Sequence, residues 1–235
     1  MKEINLTDHN FAETVLNVFS SDNPVIILEF TGTYGLVAPN SIKGANCMDK
    51  TKNRLEGKYY GSILGNCEAF RKILPSNFES KKEDIISIFE GAFIRFEVDS
   101  KVPNSKVAKN GRHQVLVENP AFRKQIEIVE LMMMKAHSSS DFFVENYQGL
   151  LCTSANISGD PNGAITDLER VIEFGKNKGV ELIVHSGLLI KTHGSYPSFY
   201  LGEEEMTIER KGYRAAEIFA EAKKRIYNST ELSLQ

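Results

Sequence analysis

The chain reads Thr153-Ser154-Ala155-Asn156-Ile157-Ser158-Gly159 between the apolar run Leu150-Leu151-Cys152 and the turn Asp160-Pro161-Asn162-Gly163. An apolar strand that ends in small hydroxyl and amide residues at a glycine turn presents a row of short donors and acceptors. Backbone N–H groups in such a turn can converge on an anion, and nearby Ser and Asn side chains can add to them. The same residues equally suit a polar turn whose Ser and Asn bond their own backbone. Both readings put a strand-to-turn junction here.

The 235 residues suffice for one large domain or two small ones. A single domain of this size buries enough surface to need no disulfide or metal staple. Net charge is -3, from 28 Lys+Arg against 31 Asp+Glu. That balance exerts no global pull on nucleic acid or an anionic membrane, so a polyanion would need a local patch. Cys47, Cys67 and Cys152 are widely spaced, without a CxxC pair or zinc pattern. His9, His113, His137, His185 and His193 show no ligand spacing either. Met1 to Asn10 is polar, unlike a signal peptide, and no apolar run approaches the ~18 residues of a membrane span. The expectation is a soluble protein of the reducing cytoplasm.

Working outward from the turn, strands and helices interleave, which favours one α/β or α+β domain. Thr7 or Asp8 is placed to cap a first helix with Phe11, Val15, Leu16 and Phe19 inward. Val25 to Leu28 reads as a buried strand running into Thr31-Gly32-Thr33-Tyr34-Gly35-Leu36, a second small-residue turn. Cys47 to Lys58 is polar and basic, and Tyr59 to Leu64 suits a strand. Helical spacing returns over Glu68 to Leu74 and Lys82 to Phe89, and Phe93 to Val98 alternates as a half-buried strand does. Ser100 to His113 carries Lys101, Lys106, Lys109 and Arg112 and reads as an exposed basic loop before the strand Gln114 to Val117.

Asn119-Pro120 opens a long helix, proline being favoured in the first turn, with Phe122, Ile126, Val129 and Met133 inward. Met132 to Met134 reads as core filler. Ser138 to Ser140 is a short linker, Asp167 to Lys176 a helix and Glu181 to Val184 a strand. Tyr213 to Tyr227 reads as an amphipathic helix burying Ala216, Ile218, Phe219 and Ile226.

Three strand-to-turn segments share one chemistry: Thr31 to Leu36, Thr153 to Gly159 and His193 to Ser198. Lys52 and Arg54 lie between the first two, and Arg210 follows the third. Cations near hydroxyl-rich turns suit phosphate or carboxylate, because charge-assisted hydrogen bonds are the strong kind. Arginine grips two oxygens in a fork, whereas lysine acts as a point charge. Taken together, the segments describe a cleft for a polyanionic small molecule.

At this point the chain resembles the YrdC-like threonylcarbamoyl-AMP synthases. The family's Lys-x-Arg, followed about a hundred residues later by Ser-x-Asn, is present as Lys52-Asn53-Arg54 and Ser154-Ala155-Asn156. Tyr34-Gly35-Leu36 looks like the end of its Pro-Thr-x-Thr-x-Tyr-Gly-Leu segment, Phe89-Glu90-Gly91-Ala92 resembles its Trp-Pro-Gly-Pro, and Ile208 to Gly212 is similar to its Ile-x-Arg-x-Gly. Several motifs depart from the pattern. Glu29-Phe30-Thr31-Gly32-Thr33-Tyr34 has no proline and is one residue short. The family's Arg-x-Pro before the long helix is missing, since the chain reads Val117-Glu118-Asn119-Pro120. Its Ser-Thr pair is Ser198-Phe199, and Leu55 stands for the proline after Lys-x-Arg. The resemblance is to a divergent member, with Arg112 the nearest candidate to replace the missing cation.

The resemblance implies a single α/β (α+β) domain over 1–235: a twisted mixed β-sheet flanked by helices around an open anion-binding cleft. Its motif-bearing core is 25–212, with a C-terminal helix over 213–227. It also implies a nucleotidyltransferase joining L-threonine, bicarbonate and ATP into threonylcarbamoyl-AMP, with pyrophosphate released and Mg2+ carried by the nucleotide rather than by a resident metal site. Lys52 and Arg54 would neutralise phosphate or carbamate oxygens, Ser154 and Asn156 would orient bicarbonate or phosphate, and Arg210 would hold the triphosphate. Thr31 and Thr33 would bind threonine, with Tyr34, Thr153 and Ser198 completing the substrate site. No general base is evident. The product would pass to a transferase that modifies adenosine in tRNA.

Two alternatives remain at this stage. One is a double-stranded RNA binder, using the Ser100 to Arg112 loop with Lys50, Lys52, Arg54 and Lys58. The other is a nucleotide-binding paralogue without synthase activity. The acidic balance and the lack of interleaved aromatic and basic residues argue against tight RNA affinity.

Overall fold

Leu151–Ser154, the strand that leads into the hydroxyl turn, lies in the middle of a mixed sheet. The computed structural model describes residues 1–98, 106–136, 149–189 and 195–227. Its strands, in chain order, are β1 (Lys2–Asn5), β2 (Ile26–Glu29), β3 (Tyr34–Ala38), β4 (Gly61–Ile63), β5 (Ala92–Glu97), β6 (Ala108–Lys109), β7 (Arg112–Val117), β8 (Leu151–Ser154), β9 (Leu182–His185), β10 (Ser198–Leu201) and β11 (Met206–Arg210). The helices are α1 (Phe11–Phe19), α2 (Ile42–Lys52), α3 (Cys67–Ile73), α4 (Lys82–Ile88), α5 (Pro120–Ala136), α6 (Leu168–Asn177) and α7 (Ala215–Ala222). Strand order is β1-β9-β2-β3-β8-β4-β7-β5-β10-β11, with β6 paired to β7. The expected α/β class and mixed sheet flanked by helices are what the chain forms.

Alternation along the strands sorts the core into layers. Leu28, Val37, Cys152, Ile63 and Leu116 pack with α1 and with Phe122, Ile126, Val129 and Met133 of α5. Burying each large side chain contributes ~1.5–3 kcal/mol. Ile27, Leu36, Leu151 and Ile183, one residue out of phase, pack on the other face with Met48 of α2 and Val171 of α6. Towards the β11 edge, α3, α4 and α7 cover Ile94, Phe96, Val115 and Phe199. The register pairs Phe93 with Leu116 and Gly61 with Cys152. Those residues therefore share the α5 side of the sheet, where Gly61, Phe93 and Gln114 line an open cleft.

Several local expectations need correction. Asp8 accepts from Asn5 N at 2.8 Å, and the residue before α1 is Asn10, which makes no side-chain cap. Asp8 thus closes the end of β1, a strand too short and polar to stand out in the sequence. Much of the polar stretch around Cys47 is helix α2, whose Ser41 cap accepts from Gly44 N at 3.1 Å. Its periodicity is faint because only Ala45, Met48 and small residues face the core. Within the supposed basic loop, Ala108–Lys109 and Arg112–Val117 pair as a hairpin through Asn110 and Gly111, both at positive φ. Met133 is buried, while Met134 remains 41% exposed. In α7 the buried residues are Ala215, Ile218 and Ala222; Ile218 and Ile226 are buried as expected and Phe219 partly so, while Ala216 faces solvent. The Ser138 to Ser140 linker lies outside the described residues.

Candidate functional site

The hydroxyl turn is held by a lysine from 104 residues upstream: Lys52 Nζ donates to Asn156 Oδ1 at 2.7 Å. The same ammonium reaches Ser154 O at 2.5 Å, Asn156 O at 3.0 Å and Ser154 Oγ at 3.3 Å. Ser154 Oγ in turn donates to Asn156 Oδ1 at 2.6 Å. Lys52 is the last residue of α2 and only 4% exposed. Burial, then repulsion from Arg54 and Lys58, pulls its pKa down to about 7. The three protons of the ammonium match two backbone carbonyls and one amide oxygen. Lys52 therefore organises the turn, its ammonium directed at Ser154 and Asn156 beside the cleft.

Arg54 reaches the cleft because Asn53 ends α2 in the left-handed conformation (φ 47°) and turns the chain back on itself. Its Nη1 lies 3.3 Å from Thr153 Oγ1, and Nη2 donates to Tyr59 O. The guanidinium carbon sits 4.3 Å from the centre of the Tyr60 ring. Nε is buried without a hydrogen-bond partner among the described residues. Such a donor marks a place where a ligand or water completes the structure.

Around Arg54 lies a cleft of about 340 Å³, lined also by Thr33, Thr153, Ser154, Asn156 and Arg210. Arg210, at the end of β11, donates through Nε to Tyr196 O at 2.7 Å and lies 5.8 Å from the Phe93 ring centre. Burial, with repulsion from Arg95, lowers its pKa. The floor is aromatic: Phe30, Phe93 and Tyr196. Phe30 can cross the sheet only because residue 35 is glycine, whose Cβ would lie 2.0 Å from Phe30 Cε2. Arginines at the rim and an apolar floor suit a small molecule that is anionic over part of its length and apolar elsewhere.

The structure thus brings Arg54, Thr33, Thr153, Ser154, Asn156 and Arg210 to one cleft, with Lys52 behind the turn. The other three predicted residues sit elsewhere. Thr31 Oγ1 donates to Glu118 Oε2 at 2.8 Å and lines a separate cavity of about 410 Å³. Glu118, 1% exposed, also accepts from the Tyr196 hydroxyl, and burial raises its pKa. Gly32 N donates to the Tyr196 hydroxyl at 3.0 Å, so this network walls the cleft from the second cavity. Tyr34 lies in the core with its hydroxyl 3.4 Å from Glu29 Oε1; burial, then Glu29, raises its pKa to about 12. Ser198 is buried, with Oγ 3.4 Å from Glu209 Oε2.

Arg112 does not take the place of the missing arginine. It lies 3.7 Å from Glu97 and over the Tyr200 ring, beside a neighbouring cavity of about 610 Å³. Of the basic residues considered for RNA, Lys52 is buried and Arg54 half-buried, whereas Lys50 and Lys58 are exposed. Lys106 pairs with Asp49 at 2.9 Å. Lys101 lies outside the described residues. The sequence did not disclose the contributions of Phe93 and Gln114, which strand register places on the cleft side, or of Phe30 and Tyr196, which reach it from the segments beside β2 and β10. Among the described residues, no group of three or more His, Cys, Asp or Glu could hold a metal ion. No helix there is long and apolar enough to cross a membrane.

The arrangement is that of the YrdC-like fold. A variant of P. abyssi Sua5 superposes with a TM-score of 0.71 at 17% identity, covering 96% of this chain and 64% of that one. P. abyssi Sua5 complexed with L-threonine gives 0.66 at 16% identity, covering 94% and 62%. E. coli YciO gives 0.65 at 14% identity, covering 92% and 96%. The chain therefore spans under two thirds of the Sua5 chains and almost all of YciO. No protein-family model and no curated protein matches the sequence.

Proposed function

We propose that this protein condenses L-threonine, bicarbonate and ATP into threonylcarbamoyl-AMP, an intermediate in tRNA threonylcarbamoyladenosine formation. The observation that carries this reading is the convergence of Arg54, Arg210 and the Thr153 to Asn156 turn on one cleft. Support comes from the fold, one solved example of which is a Sua5 complexed with L-threonine.

In this reading the threonine nitrogen attacks the bicarbonate carbon; water is lost and a carbamate forms. A carbamate oxygen then attacks the α-phosphorus, the bond from that phosphorus to the bridging oxygen breaks, and pyrophosphate leaves with the electron pair. Positioning and charge stabilisation are sufficient for both steps. Arg54 and Arg210 grip the anionic oxygens, while Ser154 and Thr153 present hydroxyls beside them. Thr33 stands at the amino-acid end, and the Phe30, Phe93 and Tyr196 floor takes the methyl group. Mg2+ would arrive on the triphosphate and neutralise its charge.

The test is to incubate the protein with ATP, magnesium, bicarbonate and labelled threonine, measuring pyrophosphate and a labelled adduct. Absence of both, where a confirmed synthase turns over, rejects the proposal. A second reading, a nucleotide-binding protein without synthase activity, is favoured by Thr31 facing Glu118 instead of the cleft. It predicts ATP binding with no threonine-dependent pyrophosphate release. An RNA-binding role would show as a steep salt dependence of binding.

A further inference from the structure

Arg54, one of the two cations of the cleft, is held at both ends by one acidic residue. Asp49 lies on the last turn of α2, and its carbonyl accepts from Arg54 N at 2.9 Å. Its carboxylate accepts from the Tyr60 hydroxyl at 2.5 Å, and the face of that Tyr60 ring carries the Arg54 guanidinium at 4.3 Å. The other carboxylate oxygen accepts from Lys106 Nζ at 2.9 Å, and Tyr60 N donates to Lys106 O at 2.8 Å. Backbone and side chain of Lys106 thus clamp the same pair. Neither Asp49 nor Lys106 lines the cleft.

We propose that Asp49 is a positioning residue: through Tyr60 it fixes the Arg54 guanidinium, with its partnerless Nε, in the orientation that grips an anion. This rests on the reading of the cleft as an anion site and adds the device that sets its grip. The physical argument concerns freedom. An arginine head at a cleft rim has many rotamers, and each hydrogen bond to a ligand must overcome that entropy. Tyr60 offers a flat electron-rich face, and it can slide unless its hydroxyl is pinned. Asp49 pins it from the side remote from the ligand, and Lys106 holds Asp49 in turn. Burial raises the Tyr60 pKa, and its hydrogen bond to Asp49 adds to this, so the hydroxyl stays a donor.

The proposal has an unusual sign. Removing a carboxylate near an anion site should tighten anion binding by Coulomb attraction alone. If Asp49 acts through Arg54, its removal weakens binding instead. Inorganic pyrophosphate is the probe, titrated by calorimetry into the full chain, with circular dichroism and thermal melting as checks of folding. We expect Asp49→Ala to bind about 5- to 10-fold more weakly. Asp49→Asn keeps an acceptor for Tyr60 and should stay within about 2-fold of the parent; it is also the variant that reports if Asp49→Ala does not fold. Tyr60→Phe should fall between the parent and Tyr60→Leu.

In an Arg54→Met background, at the weaker affinity left by Arg210, Asp49→Ala should cause no further loss, because the pair acts as one unit. Tighter binding by Asp49→Ala, loss by Asp49→Asn as large as by Asp49→Ala, or equal losses with and without Arg54 would overturn the relay. A parent protein that binds no pyrophosphate at millimolar concentration overturns the anion site and the relay together. One that binds pyrophosphate, shows the relay and yet fails to turn over threonine and ATP overturns the proposed reaction alone.

Discussion

Lys52 Nζ and Asn156 Oδ1, 104 residues apart in the chain, lie 2.7 Å from each other in the interior. The contact joins the end of α2 to the turn after β8, beside the cleft that Arg54 and Ser154 line. A cation that is 4% exposed is normally costly, and here its protons are matched to oxygens of the turn itself.

Lys52→Met should therefore act on the fold as well as the cleft. It removes the lysine donor from Asn156 O, and leaves Ser154 O with only Asn156 N and Asn156 Oδ1 with only Ser154 Oγ. The cost is ~1–3 kcal/mol for a buried group left unpaired and less for one that keeps a partner. Relaxation and water will recover part of this, so a loss of about 2–4 kcal/mol is expected. For a chain of this size that lowers the melting temperature by roughly 4–16 °C. Arg54→Met should lower it far less while weakening anion binding. Calorimetric melting of both variants beside pyrophosphate titration separates the two roles. Equal melting temperatures would show that Lys52 does not hold the turn.

His113 sets the acid limit. It is fully buried in β7, and its Nδ1 lies 2.8 Å from Val107 O, a carbonyl that can only accept. Nδ1 therefore carries the proton, and Nε2, 2.9 Å from Ser62 Oγ, accepts from that hydroxyl. Both ring nitrogens of the neutral imidazole are satisfied, and burial drives the pKa down to about 4 from 6.5. With the folded value depressed, the unfolded chain takes up the proton first. Stability is whole above pH 6.5 and falls as pH drops through 4, by ~3 kcal/mol at the limit. Urea unfolding from pH 7 to 4 should show this slope, and His113→Gln should flatten it. An unchanged slope in the variant would assign the acid loss to other groups.

The sequence made the cleft partly legible. The Ser154 and Asn156 string and Lys52-x-Arg54 are short local patterns, and a turn chemistry read from neighbours survives folding. Phe93, Gln114 and Gly61 reach the same cleft through cross-strand register, which no local pattern records. Thr31 shows the converse. It lies two residues from Thr33 in a segment read as one unit, yet a buried carboxylate from 87 residues away turns it aside. Helix α2 stayed hidden because Gly44, Ala45 and Thr51 bury small surfaces and leave its periodicity faint. Long apolar stripes such as α5 were plain for the opposite reason.

Glu130 acts opposite in sign to His113. It is fully buried on α5, with Oε2 accepting from Asn66 N at 2.7 Å and the Leu150 backbone also hydrogen-bonded to its carboxyl. Burial lifts its pKa to about 8 from 4.5. The folded state then holds its proton more tightly than the unfolded one. Its contribution is fully present below pH 4.5 and is lost as pH rises through 8. Glu130→Gln is nearly the same shape and cannot ionise. It should match the parent near pH 4 and exceed it by about 1–3 kcal/mol at pH 8.5. Denaturant midpoints at the two pH values are the measurement; a variant less stable at pH 8.5 would contradict the assignment.

Thr31 and Thr33 separate structure from recognition within one short segment. Thr31 Oγ1 donates 2.8 Å to Glu118 Oε2, in the wall that also carries Tyr196. Thr33 Oγ1 donates to Ile165 O at 2.8 Å and lines the cleft, where its lone pairs can accept from a ligand ammonium or hydroxyl. Thr31→Val removes a donor from a buried carboxylate that Tyr196 still serves, so it should cost about 1–2 kcal/mol of stability. On the proposed reaction, its effect on the KM for threonine should stay within about 3-fold, since the hydroxyl is directed away from the cleft. Thr33→Val removes an acceptor the substrate would use and should raise that KM by roughly 5- to 10-fold, one hydrogen bond's worth. Measured side by side, both variants should lose stability, each giving up one hydrogen bond, and only Thr33→Val should raise KM. If Thr31→Val instead raises KM as much as Thr33→Val, the amino acid contacts both hydroxyls, and the wall at Glu118 opens when it binds.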